Sequence, residues 1–269
     1  MKISLIALDL DGTLLLPDGT VSPKVAETLT IARSKGIKLV LCSGRPLPGV
    51  LPLLEELDLE NEGDHVITYN GALVQQTNDG KILAHHTMDH DDFLEVESLS
   101  QKLGIHCHAV NDQGVYTTNK DISYYSVRES FLTTVPLRYR TVEEMDPSIL
   151  ISKMMFVEPK EILEEAIAQI PSAFAEKYTL LRSEDFFLEV LNKSASKGQA
   201  LRDLAAILET PREEIMAIGD NGNDLDMLEF AGMGVAMGNA SFEAKEASDY
   251  VTDSNVHDGV ATAIEKFAF

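Results

Sequence analysis

The sequence predicts an α/β protein: a doubly wound parallel sheet with an α+β domain inserted into it. Three observations carry this. Short apolar runs at 3–8, 37–41, 66–69 and 215–218 each stop at a polar cluster containing glycine, as buried strands ending in loops do. Helical patterns separate these runs, and strand–helix–strand alternation gives right-handed βαβ units and a parallel sheet. From about residue 84 to 190 the rhythm gives way to period-2 stretches, turn residues and helical runs in mixture, the signature of an α+β insert.

The elements follow in order. The run at 3–8 is a strand ended by Asp9-Leu10-Asp11-Gly12. Ser22-Pro23 opens a helix through Val25, Leu29 and Ile31 that stops near Gly36, with proline in the first turn and glycine just past the end. The strand at 37–41 ends at Ser43-Gly44-Arg45-Pro46, and a helix follows to about Leu57. The strand at 66–69 ends at Asn70-Gly71. Inside the insert, 153–157 reads as a strand with Met154-Met155 in its core, and 160–169 as a helix. Lys197-Gly198 then starts a helix through Leu201, Leu204, Ala205 and Leu208, and the strand at 215–218 ends at Gly219-Asp220-Asn221. The expected division is a core of residues 1–83 and 192–269 and an inserted domain of residues 84–191. No internal repeat or low-complexity segment is visible.

At 44% hydrophobic and 25% charged, the chain has the composition of an ordinary globular protein. Its formal net charge of −22 is not ordinary. A field of that sign repels nucleic acid and anionic membranes. It also repels anionic metabolites, so any phosphate site must carry local positive charge. Cys42 and Cys107 are too few for a disulfide framework and fit reduced thiols. The first apolar run is too short for a signal or spanning segment. The expectation is a soluble cytoplasmic protein.

In an open parallel sheet, ligands bind outside the carboxyl ends of the strands. The chemistry-bearing clusters collect there: Asp9-Leu10-Asp11-Gly12-Thr13, Ser43-Gly44-Arg45 and Gly219 to Asp224, with Lys197 opening the helix before the last of these strands. Asp9 and Asp11, two apart on an extended chain, point to one side. Two nearby carboxylates resist joint ionisation, which suits a nucleophile and a general acid. Taken alone, this Asp-x-Asp-Gly fits a strand-capping turn equally well, Ser-Gly-Arg fits a simple turn, and Asn223 and Asp224 fit the cap of the next helix. The four clusters in this order are what point to a site. Asp9 and Asp220 offer the hard oxygens that Mg²⁺ takes, and Ser43 and the Gly44 amide are neutral donors for phosphoryl oxygens. A carboxylate meeting a phosphate at ~4 Å faces roughly 4 kcal/mol of repulsion at an effective dielectric of about 20. That is nearly three decades of rate at about 1.4 kcal/mol per decade. Mg²⁺ and Lys197 would offset it.

These residues resemble the haloacid dehalogenase superfamily of phosphatases. The first motif matches Asp9-Leu10-Asp11-Gly12-Thr13-Leu14, the second Ser43, the third Lys197, and the fourth Gly219-Asp220 with Asn223-Asp224. The position of the insert is similar to that of the Cof-type branch, whose Rossmann-like core carries an α+β (C2-type) cap. The stretches 67–75, 121–125 and 214–220 resemble the sugar phosphatases of that branch. The resemblance implies that Asp9 is a nucleophile forming an aspartyl-phosphate, and that Asp11 protonates the leaving alcohol and then activates water. It implies that Asp9, the Asp11 carbonyl and Asp220 hold Mg²⁺, with Asn221 adjoining. The Leu10 amide, Ser43, the Gly44 amide, Lys197 and Asn223 would bind the phosphoryl group, with Asp224 orienting Lys197 or a metal-bound water. The implied substrate is a small phosphorylated metabolite such as a sugar phosphate.

The insert should supply specificity by closing and opening. Candidate contacts are Asn70 and Gly71 at the core edge, with Tyr124, Tyr125, Arg128 and Lys153 from the insert; a tyrosine pair packed in the insert's core and solvated basic residues are the equal alternative. His106 and His108 share a strand face but lack a third ligand at zinc-site spacing. Two other readings fit the same fold: a phosphomutase, which returns the phosphoryl group to a second hydroxyl, and a non-catalytic metabolite sensor.

Overall fold

The computed structural model describes residues 2–269. The chain divides into two compact units: residues 1–44, 50–85 and 196–269, and residues 45–49 and 86–195. Against the expected boundaries, the changeovers fall between His85 and His86 and between Ala195 and Ser196. Arg45–Gly49 groups with the second unit, which nothing in the sequence indicated.

The first unit begins with β1 (Leu5–Asp9), every residue of it buried. The helix α1 (Pro23–Ser34) is capped by Ser22, whose hydroxyl accepts from the Val25 amide at 3.2 Å. There follow β2 (Lys38–Cys42), α2 (Leu47–Glu56), β3 (His65–Thr68), β4 (Leu73–Gln76) and β5 (Ile82–His85). β1, β2 and β3 are parallel, whereas β4 pairs antiparallel with β3 and β5 antiparallel with β4. The sequence reading missed this reversal. It placed Tyr69 at the end of a strand, but Tyr69 is a buried turn residue with φ 51°. An aromatic side chain in left-handed backbone is not something local propensity predicts.

The second unit contains α3 (His90–Leu103), β6 (His106–Asn111), β7 (Gly114–Thr117), α4 (Tyr124–Thr133), β8 (Leu137–Tyr139), β9 (Lys153–Val157), α5 (Lys160–Ile167), α6 (Ser172–Lys177), β10 (Tyr178–Glu184) and β11 (Phe187–Asn192). Its sheet has the order β10-β11-β9-β6-β7-β8, antiparallel except between β7 and β8. One face carries Cys107, Ala109, Met154, Phe156, Leu188 and Val190, which pack with Phe93, Val96, Leu163 and Phe174 of the helices. The Asp89–Asp92 capping box and left-handed Gly104 bound α3.

The other face of that sheet is also buried and holds a polar cluster among apolar residues such as Met155 and Val157. Lys153 Nζ lies 2.8 Å from Glu189 and 3.2 Å from Glu129 of α4, all three about 95% enclosed. Burial alone would pull the Lys153 ammonium down; Glu189 and Glu129 reverse this and hold it above its usual value. Beside it His108 donates to or accepts from Ser126 at 2.9 Å. Burial, and then the charge of Lys153, lower His108 to about 3. Unfolded histidine titrates near 6.5. The folded form therefore binds fewer protons, and its contribution is intact above about pH 6.5 and lost as pH falls from there toward 3. Between pH 7.5 and 4.5, His108→Gln should lose about 2 kcal/mol less stability than wild type in urea unfolding. Equal losses in both would show that His108 does not titrate in this way.

The chain returns to the first unit through α7 (Lys197–Ile207), β12 (Ile215–Gly219), α8 (Leu225–Phe230), β13 (Met233–Ala236), α9 (Phe242–Glu246), β14 (Tyr250–Val251) and α10 (Gly259–Phe267). The complete order is β14-β13-β12-β1-β2-β3-β4-β5, with β12, β13 and β14 parallel to β1. The winding therefore reverses between β1 and β12. Leu8 is level with Ile218, and Asp9 with Cys42. This register brings the chain after Asp9, Cys42 and Gly219 out side by side, at the switch point where such sheets bind ligands.

Candidate active site

Asp9 closes β1 and is 6% exposed. The chain then turns tightly: the Thr13 and Leu15 amides donate back to the Leu10 carbonyl at 3.2 and 2.9 Å. Gly12 makes the turn possible. Its φ is +89°, and a Cβ there would lie 2.3 Å from Asp220 Oδ2. Asp220, following β12, thus packs against the turn that carries Asp9.

Lys197 is the first residue of α7, behind its cap Ser196, and is fully buried. Its ammonium donates to Asp9 Oδ1 at 2.6 Å and to Asp224 Oδ1 at 2.7 Å. Burial would discharge it, but Asp9 and Asp224 outweigh burial and keep it protonated well above its usual range. The second Asp224 oxygen accepts from the Asp220 amide at 2.9 Å and the Asn221 amide at 3.1 Å. Both Asp224 oxygens are therefore committed, one to placing Lys197 and the other to shaping the loop.

Among the described residues, Asp9, Asp220 and Asp224 form an acidic group whose oxygens lie within 4.8 Å of one another. Burial pushes Asp9 up to about 7; Lys197 opposes the rise, and Asp224 and Asp220 add to it. Burial and then Asp224 push Asp220 up to about 6. The carboxylates acting most on Asp9 are thus Asp224 and Asp220, whereas sequence reasoning had paired it with Asp11, an exposed residue. Asp9 Oδ2 is buried without a hydrogen-bond donor. Its Asp220 neighbour is another carboxyl group, which donates only when one of the two is protonated. A divalent cation between Asp9 and Asp220 fits this orphaned oxygen and removes the need for that proton.

The phosphate-contact candidates converge on the same edge. Leu10 and Ser43 are buried, and the Ser43 amide donates to Ile67 O at 2.9 Å. Asn223 Nδ2 donates to Asn70 Oδ1 at 3.1 Å. Asn221 uses its side-chain oxygen to accept from the Gly222 amide, capping the short turn that holds Asn223 and Asp224. Gly71 is buried against the start of α7.

The insert candidates behave differently. Lys153 is enclosed between two glutamates and is no free cation. Tyr125 stacks on Phe186 with centroids 4.8 Å apart, and the Arg128 guanidinium lies 4.9 Å from the Phe186 centroid. Tyr124 is 71% exposed. His106 Nδ1 lies 2.5 Å from Glu158, so both β6 histidines have protein partners. Sequence reasoning missed Asn239, which donates to the Gly12 carbonyl at 2.8 Å and is itself held by the Asn255 amide. Gly238-Asn239 follows the end of β13, so the strand-end rule applied to that strand would have found it.

A family model for haloacid dehalogenase-like hydrolases matches residues 6–264. YxeH of Bacillus subtilis, provisionally named a phosphatase, is 47% identical over 97% of both chains. A similarly named protein, M6_Spy0533 of Streptococcus pyogenes, is 45% identical over 99% of both. The crystal structure of a haloacid dehalogenase-like hydrolase from Bacteroides thetaiotaomicron superposes with a TM-score of 0.85 at 33% identity, covering 98% of this chain and 99% of that one. Switch-point site, fold and relatives agree: the chain belongs to the haloacid dehalogenase-like hydrolases and groups with their phosphatases.

Proposed function

We propose that this phosphatase is Mg²⁺-dependent, that it acts on small phosphorylated metabolites, sugar phosphates first among them, and that Asp9 carries the phosphoryl group. The observation that supports this best is Asp9 itself: buried at a strand tip, one oxygen on the Lys197 ammonium, the other without a donor beside Asp220. Two relatives point to the substrate class by name. BT4131, a solved sugar phosphatase, superposes with a TM-score of 0.78 at 26% identity. YitU of Bacillus subtilis, 28% identical, is named for 5-amino-6-(5-phospho-D-ribitylamino)uracil.

In this reading an Asp9 oxygen attacks phosphorus and the ester P–O bond breaks, while Asp11 gives its proton to the departing alkoxide. Asp11 then takes a proton from water, which attacks phosphorus, and the P–O bond to Asp9 breaks to free phosphate and carboxylate. Ser43, the Leu10 and Gly44 amides, Lys197 and Asn223 hold the phosphoryl oxygens. Asp9, the Asp11 carbonyl and Asp220 would hold Mg²⁺, with Asn221 adjoining; bound there, the ion neutralises charge between carboxylate and phosphate. Residues 86–195 act as the specificity-giving cap.

The test is phosphate release from a panel of phosphorylated metabolites with Mg²⁺ or with EDTA. Release that EDTA abolishes is expected; an isomeric phosphate ester without free phosphate would indicate a mutase, and tight binding without turnover a sensor. Because Asp9 and Asp220 must lose protons to hold the ion, Mg²⁺ affinity should fall as pH drops through 7 and then 6. At pH 8 and about 100-fold over its Kd, Mg²⁺ should add about 2.7 kcal/mol of stability. Undiminished stabilisation at pH 5 would remove Asp9 and Asp220 as the ligands.

A further inference from the structure

After β3 the chain passes through three consecutive residues in the left-handed region: Tyr69 at φ 51°, Asn70 at 54° and Gly71 at 92°. Asparagine and glycine accept this backbone, but in a tyrosine the Cβ crowds the following carbonyl oxygen. Tyr69 is fully buried and Asn70 is 8% exposed, so neither is an unconstrained surface turn. Strain of this kind persists only where the surroundings enforce it.

The surroundings are the phosphate-contact candidates. The Asn70 amide donates to the Ser43 carbonyl at 2.9 Å. A Cβ on Gly44 would lie 3.0 Å from Asn70 Nδ2, so the Asn70 carboxamide is packed against the Gly44 backbone. Asn70 Oδ1 accepts from Asn223 Nδ2 at 3.1 Å. At Gly71 a Cβ would lie 2.0 Å from the Ser196 carbonyl and 2.8 Å from the Lys197 nitrogen, so no side chain fits there. One turn thus touches the loop after β2, the loop after β12 and the first residue of α7. Lys197 and Asp224 already join the last two directly, and the turn ties the loop after β2 to both.

We infer that Asn70 is a positioning residue: its carboxamide, held in place by the strained turn, fixes the spacing between the Gly44 amide and Asn223, and so the fit of the site to a tetrahedral phosphoryl group. This rests on the reading of Asp9 given above. It replaces a contact to the leaving group with a contact to the groups that grip phosphorus. Asn70 would then be blind to which alcohol departs.

The experiment compares Asn70→Gly, which keeps the left-handed backbone and removes the carboxamide, with Asn223→Ala, which breaks the same bond without touching the turn. The double variant completes the cycle. Each is measured with p-nitrophenyl phosphate and with a hexose phosphate, and by orthovanadate inhibition. The expected result is a 10- to 100-fold loss of kcat/KM. That loss should be equal for the two esters and matched by weaker vanadate inhibition, and the double variant should be no worse than the poorer single one. Unequal losses for the two esters, or full vanadate affinity in Asn70→Gly, would overturn the inference. If Asn70→Gly does not fold, Asn70→Asp, which tolerates the same left-handed backbone and replaces the carboxamide by a carboxylate, carries the same comparison. If wild type turns over no ester, the Asp9 reading fails while this one stays testable through the rise in Tm with vanadate. That rise should then be smaller in both variants, and an equal rise would overturn the inference.

Discussion

Asp9→Asn should abolish phosphate release, by about 10⁴-fold or more, while leaving the fold as stable as before or more so. The two halves of this result have one cause. The Asp9 carboxylate is buried and crowded by Asp224 and Asp220, which raises it to about 7. A group so raised destabilises the folded state as pH climbs from the ordinary carboxylate range through 7, because the unfolded chain releases the proton more readily. The neutral amide is nearly isosteric and removes that burden, and Lys197 keeps Asp224 as a partner at 2.7 Å. It also removes the proposed nucleophile, and the stabilisation expected from Mg²⁺ at pH 8 should shrink with it. Malachite-green assays and thermal unfolding with and without Mg²⁺ measure all three. A variant within ten-fold of wild type would sink the aspartyl-phosphate mechanism.

Lys197→Met should be the most damaging single change to stability, by about 3–5 kcal/mol. The lysine is completely buried and balances two carboxylates on its own. Removing it leaves Asp9 and Asp224 facing one another in a medium that tolerates neither charge. Asp9 would take up a proton well above neutrality and could no longer attack phosphorus at pH 7. Activity should therefore vanish even in the fraction that remains folded. The double variant Lys197→Met/Asp224→Asn should recover much of the stability and none of the activity, which separates the structural role of the pair from its chemical one. Urea unfolding of the single variant within 1 kcal/mol of wild type would show that the triad is not coupled in this way.

The parallel half of the core was legible because a strand buried on both faces writes itself as an uninterrupted apolar run, as in residues 5–8 and 215–218. The site was legible because its residues lie at the ends of those runs. Asp224, with both oxygens committed, shows what was less accessible: it reads equally as a helix cap, and it caps and orients Lys197 at once. The enclosure of Lys153 was not legible, for a physical reason. Its partners Glu129 and Glu189 lie on a different helix and strand, so only the assembled sheet shows that its charge is spent. The reversal at Tyr69–Gly71 was invisible because tertiary contacts, not the preference of the local sequence, hold a tyrosine in left-handed backbone.

The pairing at the switch point of the first unit joins Leu5 to Ile215. Synthesis runs from the amino terminus, so β1 emerges long before the strand that completes its second side. Until then its apolar edge is open to mispairing with other chains. Contacts of such high contact order form late, after the shorter loops have closed. Folding of residues 86–195 in the interval would shorten the effective loop that the β1–β12 pairing must close. Asp9 and Lys197, 2.6 Å apart in the finished protein, belong to opposite ends of that process. A nascent or truncated chain ending before α7 therefore holds Asp9 without its cation, and one ending before β12 holds both without the strand that carries Asp220 beside them.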